Sequence, residues 1–257
     1  MTLQVLVATM HQKDHSLLER MNIQCDAIVI NQCDRDEIER FQFRGHDILW
    51  MSLKERGVGL SRNTALMRAT ADILLFADDD VVYNDGYAEQ VIQNFNNRSD
   101  MDMLIFRLES TNPARPTKKE KNSHRLHWYN GLKYGAFRIA IRKDAIRKAN
   151  VFYSLLFGGG AKYQSGEDSL FIQQCLRKGL RGYVLQETIG IVKQEESTWF
   201  KGHTEKYFYD KGVLMKQCFG IWAKPLLIVL LAKNKRQTQE LGLKKALEMA
   251  FKGVKSI

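Results

Sequence analysis

An apolar run, Ile73-Leu74-Leu75-Phe76-Ala77, passes without a break into three carboxylates, Asp78-Asp79-Asp80, and this junction limits what the chain can fold into. Consecutive branched and aromatic side chains without alternation read as a strand buried on both faces, the kind that lies inside a parallel sheet. The carboxylates then mark the carboxyl end of that strand, which in open α/β sheets is where ligands bind. Like charges this close repel or raise one another's pKa unless a cation neutralises them, and a hard divalent ion with oxygen ligands does so. Strand alternation sends Asp78 and Asp80 to one side and Asp79 to the other, which predicts two ligands rather than three.

Similar short apolar runs recur at 3–8, 27–30, 48–51 and 103–106, with helix-like stretches between several of them. Alternating strands and helices predict an α/β fold with a mostly parallel central sheet flanked by helices. The 257 residues suit one large domain with an appended C-terminal piece. Arg56-Gly57-Val58-Gly59-Leu60-Ser61-Arg62-Asn63 reads as a glycine-bearing turn opening a short helix over 59–70, able to bring backbone N–H groups and a guanidinium to a phosphate. From 110 to 130 the chain is polar, with Pro113, Pro116 and the basic Lys118, Lys119 and Lys121, and is expected to be a mobile loop. A strand over 136–141 and a short helix near 143–149 follow. Glycines at 158–160 then break regular structure ahead of Gly166-Glu167-Asp168, and the pattern over 167–178 predicts a helix stopped by Gly179. Glu167 and Asp168 therefore belong to a helix start, where negative charge is also favoured by the helix dipole alone.

The formal charge of +10 is unevenly placed. Residues 1–112 carry a net −7, residues 113–148 a net +9, residues 149–200 balance, and residues 201–257 carry +8. Two basic stretches after an acidic half imply an anionic partner, a phosphate or an acidic membrane surface. The basic segments lack dense aromatic interleaving and any helix-turn-helix, zinc-finger or RNP pattern, so nucleic acid is less favoured. Four cysteines, Cys25, Cys33, Cys175 and Cys218, form no CxxC pair and point to a reducing, cytoplasmic compartment. The run 219–232 is nearly apolar, but at 14 residues it is short for a bilayer span, which takes about 20. Farther on, Leu243, Ala246, Leu247, Ala250, Phe251 and Val254 form an apolar stripe opposite Lys244, Lys245, Lys252 and Lys255. Such a basic amphipathic helix either lies on a membrane surface or packs its stripe on its own domain.

Four pieces in order, Val5-Leu6-Val7-Ala8-Thr9, Gly59-Leu60-Ser61-Arg62-Asn63, Asp78-Asp79-Asp80 and Gly166-Glu167-Asp168, resemble family 2 glycosyltransferases of the GT-A fold over roughly residues 1–190. The resemblance implies a GT-A nucleotide-diphospho-sugar transferase domain over 1–200. Its nucleotide-sugar half is 1–110 and its acceptor and catalytic-base half 111–200, with a basic helical C-terminal region over 201–257. It implies a metal-dependent, inverting hexosyltransferase of the bacterial surface-polysaccharide type, acting in capsule, exopolysaccharide or other surface-glycan synthesis. Such an enzyme moves a sugar from a nucleotide-diphosphate donor, here a UDP-sugar, to a hydroxyl of a glycan or lipid-linked acceptor.

Carried over by position, Asp78 and Asp80 match the DxD motif that holds Mn²⁺ or Mg²⁺ on the diphosphate, with Asp79 between them as a donor contact. Asp168 matches the catalytic base, a role that Glu167 fills equally well on sequence. Arg62 is implied as an aid to the leaving diphosphate and Thr9 as a nucleotide contact. Asp34, in Asn31-Gln32-Cys33-Asp34, stands near the family's base-binding aspartate, and as readily in a solvated turn. His203 falls where some relatives supply a further metal or diphosphate ligand, against the commoner structural role of a lone histidine. The cysteines place the enzyme in the cytoplasm and the basic amphipathic C-terminus places it peripherally on the inner face of the plasma membrane, with a homodimer as a further candidate. Two other classes compete. A sugar-phosphate nucleotidyltransferase would carry a glycine-rich phosphate loop after the first strand, and residues 8–13 contain no glycine; a non-catalytic nucleotide-binding protein at a membrane would not need both acidic clusters.

Overall fold

The computed structural model describes residues 1–117, 120–194 and 202–257. Lys118, Lys119 and the segment 195–201 of the sequence reading lie outside them. The first half runs β1 (Leu3–Met10), α1 (Leu17–Arg20), β2 (Asp26–Gln32), β3 (Glu37–Phe43), β4 (His46–Leu53), α2 (Val58–Arg68), β5 (Ile73–Asp78), β6 (Val81–Tyr83), α3 (Tyr87–Asn97) and β7 (Met103–Ser110). The second half runs β8 (His124–Arg125), β9 (Ile139–Arg142), α4 (Lys143–Ala149), α5 (Glu167–Arg177), β10 (Gly182–Val192), α6 (Glu205–Phe219), α7 (Ala223–Lys233), α8 (Lys235–Thr238) and α9 (Leu243–Lys255).

The sheet order is β3-β4-β2-β1-β5-β9-β7-β10-β6, with β8 also paired to β10. In the block β4-β2-β1-β5 every pairing is parallel, and the register sets Asn31 opposite Thr9 and Ser52, and Asp78 opposite Ala8. Polar side chains are thereby gathered in one row at the carboxyl edge, while the apolar residues behind them are buried from both sides. One face packs Val5, Val7, Trp50 and Leu75 against Leu17 and Leu18 of α1 and Tyr87, Val91 and Phe95 of α3. The other packs Leu6, Ile28, Leu74 and Phe76 against Leu66 of α2, Ile146 of α4 and Phe171 of α5. β3 is an edge strand with alternating exposure, its outward positions being Ile38, Arg40 and Gln42.

The sheet is mixed rather than mostly parallel. β9 runs antiparallel between β5 and β7 and joins the parallel block to the parallel pair β7–β10. The reason is connectivity. β7 ends at the carboxyl edge, and among the described residues of 111–138 only β8 and two short 3-10 turns occur, with no crossover helix to return the chain to the opposite edge before β9 begins. β9 must therefore start where β7 stopped.

At the C-terminus, α6, α7 and α9 share a core of Phe208, Met215, Leu227, Leu231, Ala246, Ala250 and Val254. Ala246, Ala250 and Val254 of the α9 stripe are thus covered by its neighbours, while Leu243 stays exposed. α6 and α9 meet at backbone distance: a Cβ on Gly212 would collide with the Ala250 carbonyl oxygen, and one on Gly253 with that of Tyr209. Gly212→Ala is therefore expected to lower stability by about 1–3 kcal/mol through overpacking, measured as a lower urea midpoint at unchanged m-value.

Candidate active site

The carboxyl ends of β1, β2 and β4 are tied by side chains before any ligand is considered. Asn31, fully buried, donates to the Gln12 carbonyl at 3.0 Å and to Ser52 Oγ at 3.2 Å, and accepts from Gln12 N at 3.0 Å. This fixes the loop after β1, so Gln12 Nε2 can reach Thr9 Oγ1 at 2.9 Å. Thr9 Oγ1 in turn donates to Asp79 Oδ2 at 2.5 Å. Gln32 Oε1 accepts from Gly57 N at 2.7 Å and anchors the turn ahead of α2, where Gly57 has φ 125°, a conformation suited to glycine. Asp34 lies on the exposed rim and pairs with Arg56 at 2.8 Å.

The second layer is α2. Gly59 lets it approach the 153–154 segment so closely that a Cβ would lie 2.7 Å from the Ser154 carbonyl oxygen. Asn63 then grips the Tyr153 backbone from both sides, donating to its carbonyl at 2.9 Å and accepting from its N–H at 2.8 Å. Held in this way, the Tyr153 ring stacks on Phe171 at 4.1 Å and lies 5.3 Å from the Arg62 guanidinium.

Arg62 is the centre of the constellation. Its side chain is only 4% exposed, and it donates to Asp78 Oδ1 at 2.8 Å through Nη2. Through Nη1 it donates to Asp168 Oδ1 at 2.7 Å and, more weakly, to Glu167 Oε1 at 3.4 Å. Burial opposes its charge, but Asp168 and then Asp78 outweigh that penalty and hold the guanidinium firmly protonated. Glu167 also caps its own helix, Oε2 accepting from Gly166 N at 3.0 Å. Its carboxyl carbon would lie 2.9 Å from a Cβ on Gly158, so the glycine loop is shaped around it.

Three carboxylates thus meet one guanidinium, with Asp79 and Asp80 following Asp78 in the chain, and burial raises the pKa of several of these acids. Burial chiefly, with the Asp78 charge second, pushes Asp80 up to about 6. Burial also raises Asp79, against the Thr9 hydrogen bond. Asp168 is raised as well, by burial first and by Glu167 and Asp78, with Arg62 pulling it back toward ionisation.

The strand ends at Asp78, and Asp79 and Asp80 form the turn into β6, so strand alternation does not extend through the triplet. Asp78 faces Arg62, Asp79 faces Thr9, and Asp80 Oδ2 accepts from Gln194 N at 3.1 Å. Arg62, expected at the donor diphosphate, has both terminal nitrogens committed to carboxylates. His203 packs its ring against Tyr207 at 5.0 Å. Among the described residues no three His, Cys, Asp or Glu side chains gather to hold a metal ion. Sequence reasoning missed Asn31, Gln12, Gln32, Asn63 and Tyr153. Asn63 stood next to Arg62 in the recognised turn, but its partner lies 90 residues away and no local pattern announces it.

Removing the guanidinium leaves buried carboxylates without a counter-charge, and Arg62→Met is expected to cost about 3–5 kcal/mol at neutral pH. The native carboxylates then bind protons more tightly than the unfolded chain does, so the variant regains stability as pH falls. Melting curves at pH 5 and pH 7.5 check this: the gap to wild type narrows at the lower pH.

Residues 11–154 match the sequence family described as Glycosyl transferase family 2. No curated protein sequence matches the chain significantly. Among solved structures, Staphylococcus aureus TarS 1–349 aligns with a TM-score of 0.69 at 14% identity, covering 99% of this chain and 81% of that one. The same protein in complex with UDP-GlcNAc gives 0.71 at 14% identity over 99% and 82%, and in complex with UDP 0.68 at 14% over 99% and 81%. At this identity the likeness is one of fold. The family match covers more than half of the chain and runs from the loop after β1, through Arg62 and the aspartate triplet, to the Tyr153 segment; the chain belongs to glycosyl transferase family 2.

Proposed function

We propose that this glycosyltransferase moves a sugar from a UDP-sugar to a hydroxyl of a glycan or lipid-linked acceptor, with inversion at the anomeric carbon, in bacterial surface-glycan synthesis. One observation carries the reading: a single buried guanidinium joins Asp78, at the sheet edge where a nucleotide-sugar would lie, to Asp168, at the helix start facing the second half of the chain. Donor and acceptor functions are thereby held at a fixed separation. The complexes of TarS with UDP-GlcNAc and UDP favour a uridine donor.

In this reading the acceptor oxygen attacks the anomeric carbon as its bond to the diphosphate breaks, and the hydroxyl proton passes to Asp168. Asp168 keeps 22% of its side chain exposed, against 13% for Glu167, and Glu167 has each oxygen engaged, by Arg62 and by Gly166 N. We therefore assign the base to Asp168 and orientation of the helix start to Glu167. A raised pKa suits a base that must accept a proton near neutrality, while Arg62 keeps enough of it ionised. Thr9 holds Asp79 in place at the donor edge.

The donor set suits a divalent ion shared with the substrate. Asp78 and Asp80 use one oxygen each on Arg62 and Gln194, retain acceptor capacity, and carry more negative charge than their surroundings neutralise. An Mg²⁺ or Mn²⁺ held by one or two carboxylates and completed by phosphate oxygens needs no third protein ligand. Bound there by Asp80 and Asp78, it would stabilise charge on the departing diphosphate.

Asp168→Asn is expected to lower kcat by about 10²–10⁴ while UDP affinity, measured by calorimetry, stays within about threefold. Transfer by an Asp168→Asn protein at more than a tenth of the wild-type rate would remove Asp168 from the base role. The wild-type rate falls as pH drops through the raised Asp168 pKa, so the acid limb sits above the ordinary aspartate value of about 3.9. Release of UDP that persists both in EDTA and in Asp80→Ala would sink the metal assignment.

A further inference from the structure

α7 presents a contradiction that its own packing does not resolve. Its inner positions Ala223, Leu227 and Leu231 are fully buried against α6 and α9. The opposite positions Ile221, Pro225, Ile228, Val229 and Ala232, spaced at four, three, one and three residues, are all apolar and all exposed. Ile221 is 84% and the neighbouring Trp222 65% exposed. A helix that is apolar on every side is stable only when its outer face is also covered.

The neighbourhood says what covers it. Lys224, Lys233, Lys235 and Arg236 flank the stripe, and no acidic residue occurs between Gly220 and Gln239. A second copy packed by two-fold symmetry would set these cations against one another, whereas an anionic surface complements them. Trp222 and Leu226 line one side of a cleft of about 960 Å³ whose other side includes Trp128, itself 54% exposed. Trp128 is not on a loose loop: its carbonyl accepts from Nε2 of the buried Gln173 at 2.6 Å, and its ring meets Phe219 at 5.9 Å. Exposed tryptophans beside lysines are the side chains that settle at a membrane–water interface.

We infer that the outer face of α7, with the Ile221–Trp222 turn and Trp128, docks on an anionic lipid bilayer. The docking is interfacial, not a span. By length and composition residues 205–233 are apolar enough to cross a membrane, but Gly220 (φ 55°) breaks the helix, and α6 buries Phe208, Asp210, Val213 and Met215 within the protein. α5 leads from Asp168 to Leu176 and Arg177 at the cleft, a distance of about 12–14 Å along the helix axis at 1.5 Å per residue.

The test is co-sedimentation of the full chain with vesicles of phosphatidylcholine alone, or containing about one-third phosphatidylglycerol. The wild type is expected to pellet with the anionic vesicles and to be released by high salt. Ile221→Ser/Trp222→Ser is expected to weaken pelleting about tenfold or more, and Lys233→Glu/Lys235→Glu to weaken it on anionic vesicles only. Thermal melts and UDP-sugar hydrolysis of both variants should match wild type, since these side chains are exposed. The inference falls if the wild type stays in the supernatant, if Ile221→Ser/Trp222→Ser pellets like wild type, or if sedimentation equilibrium shows a dimer that this variant disperses. Pelleting requires no sugar donor, so failure here and failure of the transferase reading are separate results.

Discussion

One buried guanidinium holds this molecule's chemistry together. Arg62 sits where α2, the end of β5 and the start of α5 converge, and each contributes a carboxylate or the backbone that aims one. A lysine would supply one compact charge; the planar fork of arginine addresses Asp78 with one nitrogen and the Glu167–Asp168 pair with the other. A buried ion network of this sort contributes little net stability, because desolvation offsets the attraction. Its effect is geometric. It sets the spacing between two acidic groups that would otherwise repel.

Positioning of Arg62 depends in turn on contacts with no charge at all. Asn63 uses its amide as a surrogate peptide against Tyr153, and Gly59 removes the side chain that would keep the two segments apart. Gln32 and Asn31 do comparable work at the end of β2, where each fixes a loop that follows a strand. The carboxyl edge of the sheet is therefore assembled from amides and glycines supporting a few carboxylates. Asn31 and Asn63 are buried and hydrogen-bonded through both amide atoms, which is how a polar edge stays rigid beside solvent.

Much of this was legible in the chain, and the reasons for the rest are physical. The parallel block announced itself because strands buried on both faces are continuous apolar runs, as at 73–77. The start of α5 announced itself by glycine followed by acid. β10, with its bulged and irregular register, carries no clean period, and β3 alternates in charged residues that resemble a loop. The direction of β9 follows from the absence of a crossover helix, a property of the connection rather than of the strand. The stripe on α9 was visible, but periodicity reports that a face is apolar without reporting what covers it. On α9 the cover is the protein's own α6, and on α7 the equivalent face is left open.

The placement of β9 also shapes how the chain reaches this structure. During synthesis the edge of β5 that β9 will occupy stays unpaired until residues 139–142 have been made, about seventy positions after β5 itself. β7 waits equally for its partner, because its pairing with β9 joins Met103 to Ile141. Until then two apolar strands carry open hydrogen-bonding edges, the condition under which unfinished chains pair with one another. A four-residue strand thus acts as the keystone of the sheet: the parallel block β4-β2-β1-β5 can be made before it, but the sheet is continuous only once β9 lies between β5 and β7.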